Sequence, residues 1–279
     1  MQFFADLPKY AFLQFALITG VLAAVASGVV GTYVVTRRVT SIAGAISHSV
    51  LGGLGAAVFA QKALSWTWMH PLYGAGVVAV GSALLIGVLN LRAREREDTV
   101  IGAIWAIGMA IGVLFLARTP GYNQDLMSYL FGNILLVTER DLWMIAVLDG
   151  VVVMVAGAFY HQLLAVCFDE EFARLRGLNV EFYYLMLLVL TALTVVLLVT
   201  VVGIVMVIAM LTLPIAIAER LVHRVSHVMV VSVALTIAFT VLGLAVSYDA
   251  DLPSGATIIM IAGVAYLVAM MLGGRKQSA

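Results

Sequence analysis

Charged residues are scarce in this sequence: they make up 11% of the 279 residues, whereas 63% of the residues are hydrophobic. An ordinary soluble domain is about half apolar and about a quarter charged. The chain therefore has too few polar side chains to cover itself in water, which excludes an ordinary soluble protein. Lysine plus arginine equals aspartate plus glutamate, at 15 each, so no excess of charge favours a nucleic-acid partner.

The sequence also has a single cysteine, Cys167, which excludes an intrachain disulfide and a metal site built from several cysteines. The phosphate-binding pattern Gly-x-x-x-x-Gly-Lys-Ser/Thr is absent from the sequence. We therefore predict that this chain does not hydrolyse ATP itself. Whatever energy source it uses is expected on another polypeptide.

Apolar runs of about 20 residues recur along the chain, and each is long enough to cross a hydrocarbon core of about 30 Å. This pattern predicts an all-α, polytopic membrane protein that forms a single domain over residues 1–279. The sixth and seventh runs nearly merge at Gly203, so one of them is expected to be half-length and the count of spans is eight or nine. The predicted segments are 11–35, 41–60, 71–91, 99–117, 141–163, 182–202, 203–219, 228–247 and 255–273.

Another apolar stretch, Met127–Val137, is too short to cross the membrane. It is expected to lie against the membrane surface or to re-enter the bilayer.

Most lysine and arginine residues lie in alternate loops between the predicted segments. Because basic residues concentrate in cytoplasmic loops, these loops are predicted to face the cytoplasm. The chain would then cross the cytoplasmic membrane with its N-terminus outside the cell and its C-terminus in the cytoplasm. The residues that set this pattern are Arg37, Arg38, Arg92, Arg94, Arg96, Arg174, Arg176, Arg220, Arg224, Arg275 and Lys276. The other four, Lys9, Lys62, Arg118 and Arg140, fall on the opposite side.

The longest predicted cytoplasmic loop contains a short amphipathic helix at about residues 168–178. Acidic residues lead and arginines follow, as the helix dipole favours, and Gly177 stands where such a helix would end. Phe168, Phe172 and Leu175 have the spacing i, i+4 and i+7, which places them on one face. This stripe fits a docking helix for a cytoplasmic protein at least as well as a helix on the lipid surface, which usually carries more lysine.

Five motifs, in order along about 230 residues, resemble those of the membrane permeases of ATP-binding cassette importers for zinc, manganese and iron. The first joins paired arginines to a helix rich in glycine and serine, and the second contains Tyr-Leu-Phe-Gly. In this sequence the motifs are Gly31–Gly53 (GTYVVTRRVTSIAGAISHSVLGG), Asp125–Leu142 (DLMSYLFGNILLVTERDL), Asp169–Val180 (DEEFARLRGLNV), Val201–Leu221 (VVGIVMVIAMLTLPIAIAERL) and Ser247–Met260 (SYDADLPSGATIIM).

The resemblance implies the fold of a type II importer permease in the inner membrane, with the divalent metal, zinc or manganese first and iron next, as cargo. It also implies a second permease copy (identical or a paralogue), cytoplasmic ATP-binding subunits and an extracytoplasmic metal-binding protein. The chain itself would then be a transport subunit and not an enzyme, with no catalytic residue and no permanently bound cofactor, and ATP would be hydrolysed on the separate subunits. The ATP-binding subunits would dock on the loop helix through Asp169, Glu170, Phe172, Ala173, Leu175 and Gly177.

His48 is the first candidate metal ligand, because it stands within an otherwise apolar, small-residue helix. The resemblance implies an aspartate four residues earlier, where it would share a helix face with the histidine, but this sequence has Gly44. Gly44, Ser47 and Gly52 are predicted to line the pathway with His48. The alternative is a packing helix, in which the small residues allow close helix contact and the histidine bonds a neighbouring carbonyl.

Asp149 is the second candidate metal ligand, because it lies inside the fifth apolar segment. A carboxylate at that depth costs about 3 kcal/mol on insertion scales, so a metal ion, a buried basic group or protonation should compensate it. Asp149 could replace the aspartate missing at position 44. Alternatively it caps a helix break before Gly150, or stays hydrated near the outer interface.

Three other functions fit parts of the sequence. An ion-coupled secondary transporter would usually carry charges in several broken helices, and here only His48 and Asp149 qualify. A permease of the same type could carry a different small cargo. An intramembrane hydrolase would use Ser47 and His48, but adjacent helix positions do not face each other.

Overall fold

The structure, a computed structural model, describes residues 2–92, 97–120, 132, 134–204 and 207–273. Every regular element in these ranges is helical, and eight of the helices are long and apolar enough to cross a membrane. The all-α, polytopic prediction is confirmed. The α-helices in these ranges are α1 (Gln2–Asp6), α2 (Ala11–Thr36), α3 (Thr40–Ala63), α4 (Pro71–Arg92), α5 (Glu97–Arg118), α6 (Glu139–Ala158), α7 (Tyr160–Phe168), α8 (Glu170–Leu175), α9 (Val180–Val202), α10 (Val207–Leu221), α11 (Val225–Ala250) and α12 (Ser254–Gly273).

The sixth and seventh predicted segments become one full span and one short helix. Helix α9 ends at Val202, and Gly203 follows with φ of +80°, a backbone conformation that glycine adopts without a steric cost. Helix α10 has 15 residues, which gives a length of about 22 Å, less than the hydrocarbon thickness. One of the two helices is therefore short, and the described ranges contain eight helices long enough to span, the lower of the two predicted counts.

The fifth predicted segment, 141–163, differs from the structure at both ends. Helix α6 begins earlier because Thr138 caps it: the Thr138 hydroxyl accepts a hydrogen bond from the Asp141 amide (3.3 Å), and the Asp141 carboxylate accepts one from the Thr138 amide (3.1 Å). The helix ends at Ala158, and the chain turns at Phe159 into α7. Hydrophobicity alone could not locate this turn, because α7 becomes apolar again directly after His161 and Gln162.

Most of the stretch Met127–Val137 lies outside the described residues, and so does the Tyr-Leu-Phe part of its motif. At its end, Ile134–Leu136 forms a single 3-10 turn whose Ile134 is fully buried.

Helix α3 lies in the interior of the bundle, and 89% of its most apolar stretch is buried, against 22% for α5 and 17% for α12. It packs most closely on α4 and α5, and also contacts α9 and α10. Helices α5, α6 and α12 are therefore the spans that the rest of the chain covers least.

Glycines allow the close approach between α3 and its neighbours. A Cβ atom at Gly52 would lie 2.9 Å from the carbonyl oxygen of Gly108 on α5, and one at Gly55 would lie 2.6 Å from that of Gly112. No side chain fits at these positions without moving the backbone of α5. Helices in lipid are not driven together by the hydrophobic effect, so their association depends on close van der Waals contact, which small residues permit.

Candidate functional site

His48 lies in the middle of α3, and only 7% of the residue is exposed. Its ring stacks on the indole of Trp105 from α5, with ring centroids 4.2 Å apart and an angle of 9° between the planes. The Nδ1 atom is buried and has no hydrogen-bond partner among the described residues. The bond to a neighbouring carbonyl that a packing histidine would make is therefore not seen at this nitrogen.

Trp105 is the site residue that sequence reasoning missed. Its indole Nε1 donates to the sulfur of Met109 at 3.2 Å, so the ring is held over His48 by its own helix. Tryptophan in membrane helices concentrates at the two interfaces, whereas Trp105 lies well inside the α5 span. That unusual depth was a signal available in the sequence.

The three small residues predicted to line the pathway make helix contacts in this conformation. Ser47 donates a hydrogen bond from its hydroxyl to the carbonyl oxygen of Ile204 (2.9 Å), in the break between α9 and α10. A Cβ at Gly44 would lie 2.7 Å from Ile208 Cδ1 of α10. Gly52 is at the close contact with α5 described above. Ser47 therefore borders an irregular stretch of backbone, about 100° around α3 from His48.

Asp149 occupies a different neighbourhood from His48. Helix α6 continues through it to Ala158, so the proposed helix break before Gly150 is wrong. The residue is 6% exposed, which excludes the hydrated interfacial position within this fold. Its carboxyl group lies against the backbone of Ala26 in α2, and its Oδ1 atom is buried without a hydrogen-bond partner among the described residues.

The structure does not bring the two candidate metal ligands together within one chain. Helix α3, with His48, packs on α4 and α5, whereas α6, with Asp149, packs chiefly on α2 and α9. Nowhere in the described ranges do three or more histidine, cysteine, aspartate and glutamate side chains form a group that could hold a metal ion. Cys167 belongs to no such group either, and burial raises the pKa of its thiol to about 12.

The predicted docking helix is α8, shorter than the expected 168–178. Phe168 ends α7, and Asp169 between the two helices is extended, so the prediction that Phe168, Phe172 and Leu175 share one helix face is wrong. The Asp169 side chain caps it by accepting a hydrogen bond from the Phe172 amide (2.9 Å), and Gly177 ends it with φ of +77°. Ala173 is fully buried against the bundle. Leu175, by contrast, is 87% exposed, together with exposed Phe168 and Phe172. The loop is therefore anchored on the bundle through Ala173, while its three large apolar side chains stay exposed.

A chain of polar contacts connects α8 to the first turn of α5. Glu170 of α8 forms an ion pair with Arg37 at the end of α2, and the Arg37 guanidinium lies 5.7 Å from the ring centre of Tyr184 in α9. Asn90 of α4 donates hydrogen bonds to the Tyr184 hydroxyl (3.3 Å) and to Glu97 (3.2 Å). Glu97 begins α5, the helix that carries Trp105.

Comparisons with known proteins now add to this geometry. The sequence profile of the ABC 3 transport family matches residues 9–273. A "Probable metal transport system membrane protein" of Chlamydia pneumoniae is 42% identical over 253 residues, which are 91% of this chain and 86% of that protein. The "Manganese transport system membrane protein MntC" of Listeria monocytogenes is 34% identical over 277 residues, 99% of this chain and 96% of that protein.

Among solved structures, the chain resembles PsaBC from Streptococcus pneumoniae, determined in complex with a Fab. The TM-score is 0.85 and the sequence identity is 29%, with 96% of this chain and 94% of that chain covered. The likeness therefore extends over nearly the whole bundle, including α3 and α5.

Proposed function

The chain belongs to the ABC 3 transport family, and from that premise we propose that it is the membrane permease of an ATP-driven importer of a divalent transition metal. The observation that carries this proposal is the match over residues 9–273. We further propose manganese as the first cargo to test, ahead of zinc and iron. Support for that choice is the Listeria relative, which is named for manganese transport and aligns with nearly every residue of this chain.

We propose that His48 contacts the ion as it passes. Imidazole is a suitable ligand for first-row transition metals, and the Nδ1 of His48 has no protein partner among the described residues that would compete for it. A single imidazole per chain, with no carboxylate at Gly44, makes a weak site. Weak binding suits conduction, because an ion must leave the site as readily as it enters.

The backbone around His48 supports a pathway at this place. Irregular backbone at membrane depth is tolerated where it is buried in protein or lines a water-filled cavity, and discontinuous helices form ion sites in other transporters. Here the break after Gly203 lies against Ser47, next to His48 in sequence. With Trp105 stacked on the histidine, we infer that this conformation has the pathway closed and that opening moves α5 away from α3.

The ATP-binding subunit would dock on the exposed apolar side chains around α8, which are Phe168 at the end of α7 and Phe172 and Leu175 in α8. An exposed apolar patch rimmed by charge commonly marks a protein-binding surface. Movement of α8 would reach α5 through Arg37, Tyr184 and Asn90, the contacts described above. Because α5 carries Trp105, this route joins the docking surface to the candidate ion contact.

The remaining parts of the assembly follow from the same family. A second permease copy, most simply an identical one, would place two His48 side chains around a central pathway, with an extracytoplasmic metal-binding protein as donor. For the orientation we propose the one that the basic residues predict, with the N-terminus outside the cell and α8 in the cytoplasm.

The proposal is tested by reconstituting the chain with its ATP-binding subunit and measuring ATP-dependent manganese uptake into vesicles. The substitution Leu175→Glu should abolish both ATPase association and uptake, because it places a charge in the apolar docking face. Leu64→Glu is the matched control, an exposed leucine (52%) beyond the α3 span, and should preserve both. Uptake by the permease without any ATPase would overturn the proposal in favour of an ion-coupled secondary transporter.

A further inference from the structure

A groove on the surface of the bundle is not part of the proposed pathway. It has a volume of about 620 Å³ and lies between α4, α6 and α9, a size typical of sites for small molecules. Its lining is almost entirely apolar and includes Val77, Val147, Val151 and Val196. Val77 is 72% exposed and Val147 is 65% exposed, so the groove opens outward from the spans rather than into the bundle.

Gly76 leaves space on the α4 side of this groove. A Cβ atom added there would meet no heavy atom within 4 Å, whereas one at Gly74 would lie 2.8 Å from Ala57 Cβ of α3. Two positions apart on a helix point to nearly opposite sides. Gly74 therefore serves the packing of α4 on α3, and the missing side chain at Gly76 serves no packing within the described chain.

A cation stands at one end of the groove. Arg140 is exposed and lies three residues before Trp143, which lines the groove, so the two share a face of α6. The adjacent Asp141 does not neutralise it, because that carboxylate contacts His70 (3.3 Å) and Thr138 (2.6 Å). In the part of the chain that the structure describes, Arg140 has no ion pair.

We propose that this groove binds one acyl chain of an anionic membrane phospholipid, with the phosphate against Arg140. Hydrocarbon is the medium that surrounds an outward-facing apolar groove in a membrane protein, and guanidinium groups pair well with phosphate oxygens. Trp143 and Tyr73, both in the lining, are of the residue types that occur at the level of lipid headgroups. This site is independent of the transported ion and of the pathway around His48.

The test measures phosphatidylglycerol retained by the full-length chain after detergent purification, by native mass spectrometry. Gly76→Leu fills the groove and should lower the retained lipid about tenfold, the effect of displacing one or two buried methylene groups. Gly81→Leu is the matched control: it lies on the same helix with open space around it but outside the groove lining, and it should retain lipid as the native chain does. Equal retention by the two variants would overturn the proposal.

A second variant tests the headgroup contact. Arg140→Gln should keep the acyl chain but lower the preference for phosphatidylglycerol over phosphatidylethanolamine by about threefold, the strength of an exposed ion pair. An unchanged preference would overturn the assignment of the phosphate to Arg140. Disulfide formation between Val77→Cys chains in the membrane would show that a second copy covers the groove, which also contradicts lipid binding.

Discussion

His48 and Asp149 are both ionisable, both buried in membrane helices, and both have an atom without a hydrogen-bond partner among the described residues. Their surroundings differ. His48 lies on the most enclosed span, under an aromatic ring and near a break in the helix pair α9–α10. Asp149 lies on a span that is mostly exposed, and its side chain is buried where α6 meets α2.

The comparison shows that burial alone does not identify a functional residue. A neutral imidazole is inexpensive to bury and keeps a lone pair for a passing ion, whereas a carboxylate must be protonated or paired to avoid a large desolvation cost. We therefore propose His48, and not Asp149, as the ion contact, and expect Asp149 to act chiefly in holding α6 on α2.

The largest difference should come from glycines in the two regions. Gly55→Val forces a side chain into the backbone of Gly112, whereas Gly150→Val, beside Asp149, meets nothing within 4 Å. We expect the first to lower the free energy of unfolding by about 1–3 kcal/mol, as overpacking does, and the second to have little effect. Thermal unfolding of both variants in detergent checks this, and equal melting temperatures would contradict the close α3–α5 contact.

An intermediate effect is expected on access to position 48. His48→Cys should react slowly with a maleimide at pH 8, and several times faster when combined with Trp105→Ala, which removes the ring stacked on this position. The native Cys167 provides an internal control. Its pKa is raised to about 12 by burial, so the thiol stays protonated below that pH and should remain unlabelled at pH 8.

If labelling at position 48 is equally fast with and without Trp105, the indole does not cover the site. The matched substitution Trp105→Phe keeps an aromatic ring and should keep most of the protection.

The smallest effect is expected at Asp149. Asp149→Asn preserves the shape of the side chain and replaces the carboxyl group with an uncharged amide, so stability should change by less than about 1 kcal/mol. Uptake should stay within about twofold of the native rate, since no step of the proposed pathway uses this residue. A loss of uptake with normal folding would instead make Asp149 an ion ligand, as the sequence alone allowed.

Much of the fold could be predicted because the governing signals are local. Apolar runs set the spans, the short run after Gly203 predicted α10, and the acidic cap with Gly177 predicted α8. The turn at Phe159 was missed because the two polar residues after it, His161 and Gln162, are followed by a further apolar stretch. The family motifs pointed to His48 as a candidate metal ligand. Its contact with Trp105 depends on how α5 packs against α3, and no pattern within either segment encodes that packing.

For Asp149, too, the sequence gives the position in the helix but not the neighbours of the side chain. Its depth in a segment could be read from the sequence, whereas the direction of its side chain depends on which helix lies beside α6. The prediction that Gly44 and Gly52 line a pathway stays a prediction, since in this conformation they contact α10 and α5.

The central claim is that His48 touches the ion and Asp149 does not. It is tested most directly by ATP-dependent manganese uptake in the reconstituted transporter, comparing His48→Ala with Asp149→Asn and with His161→Ala as a histidine control outside α3. We predict that His48→Ala lowers uptake at least about tenfold, as losing a supporting metal contact does, while ATPase association and melting temperature are kept. Native uptake in His48→Ala, or an equal loss in both candidate variants, would contradict the account.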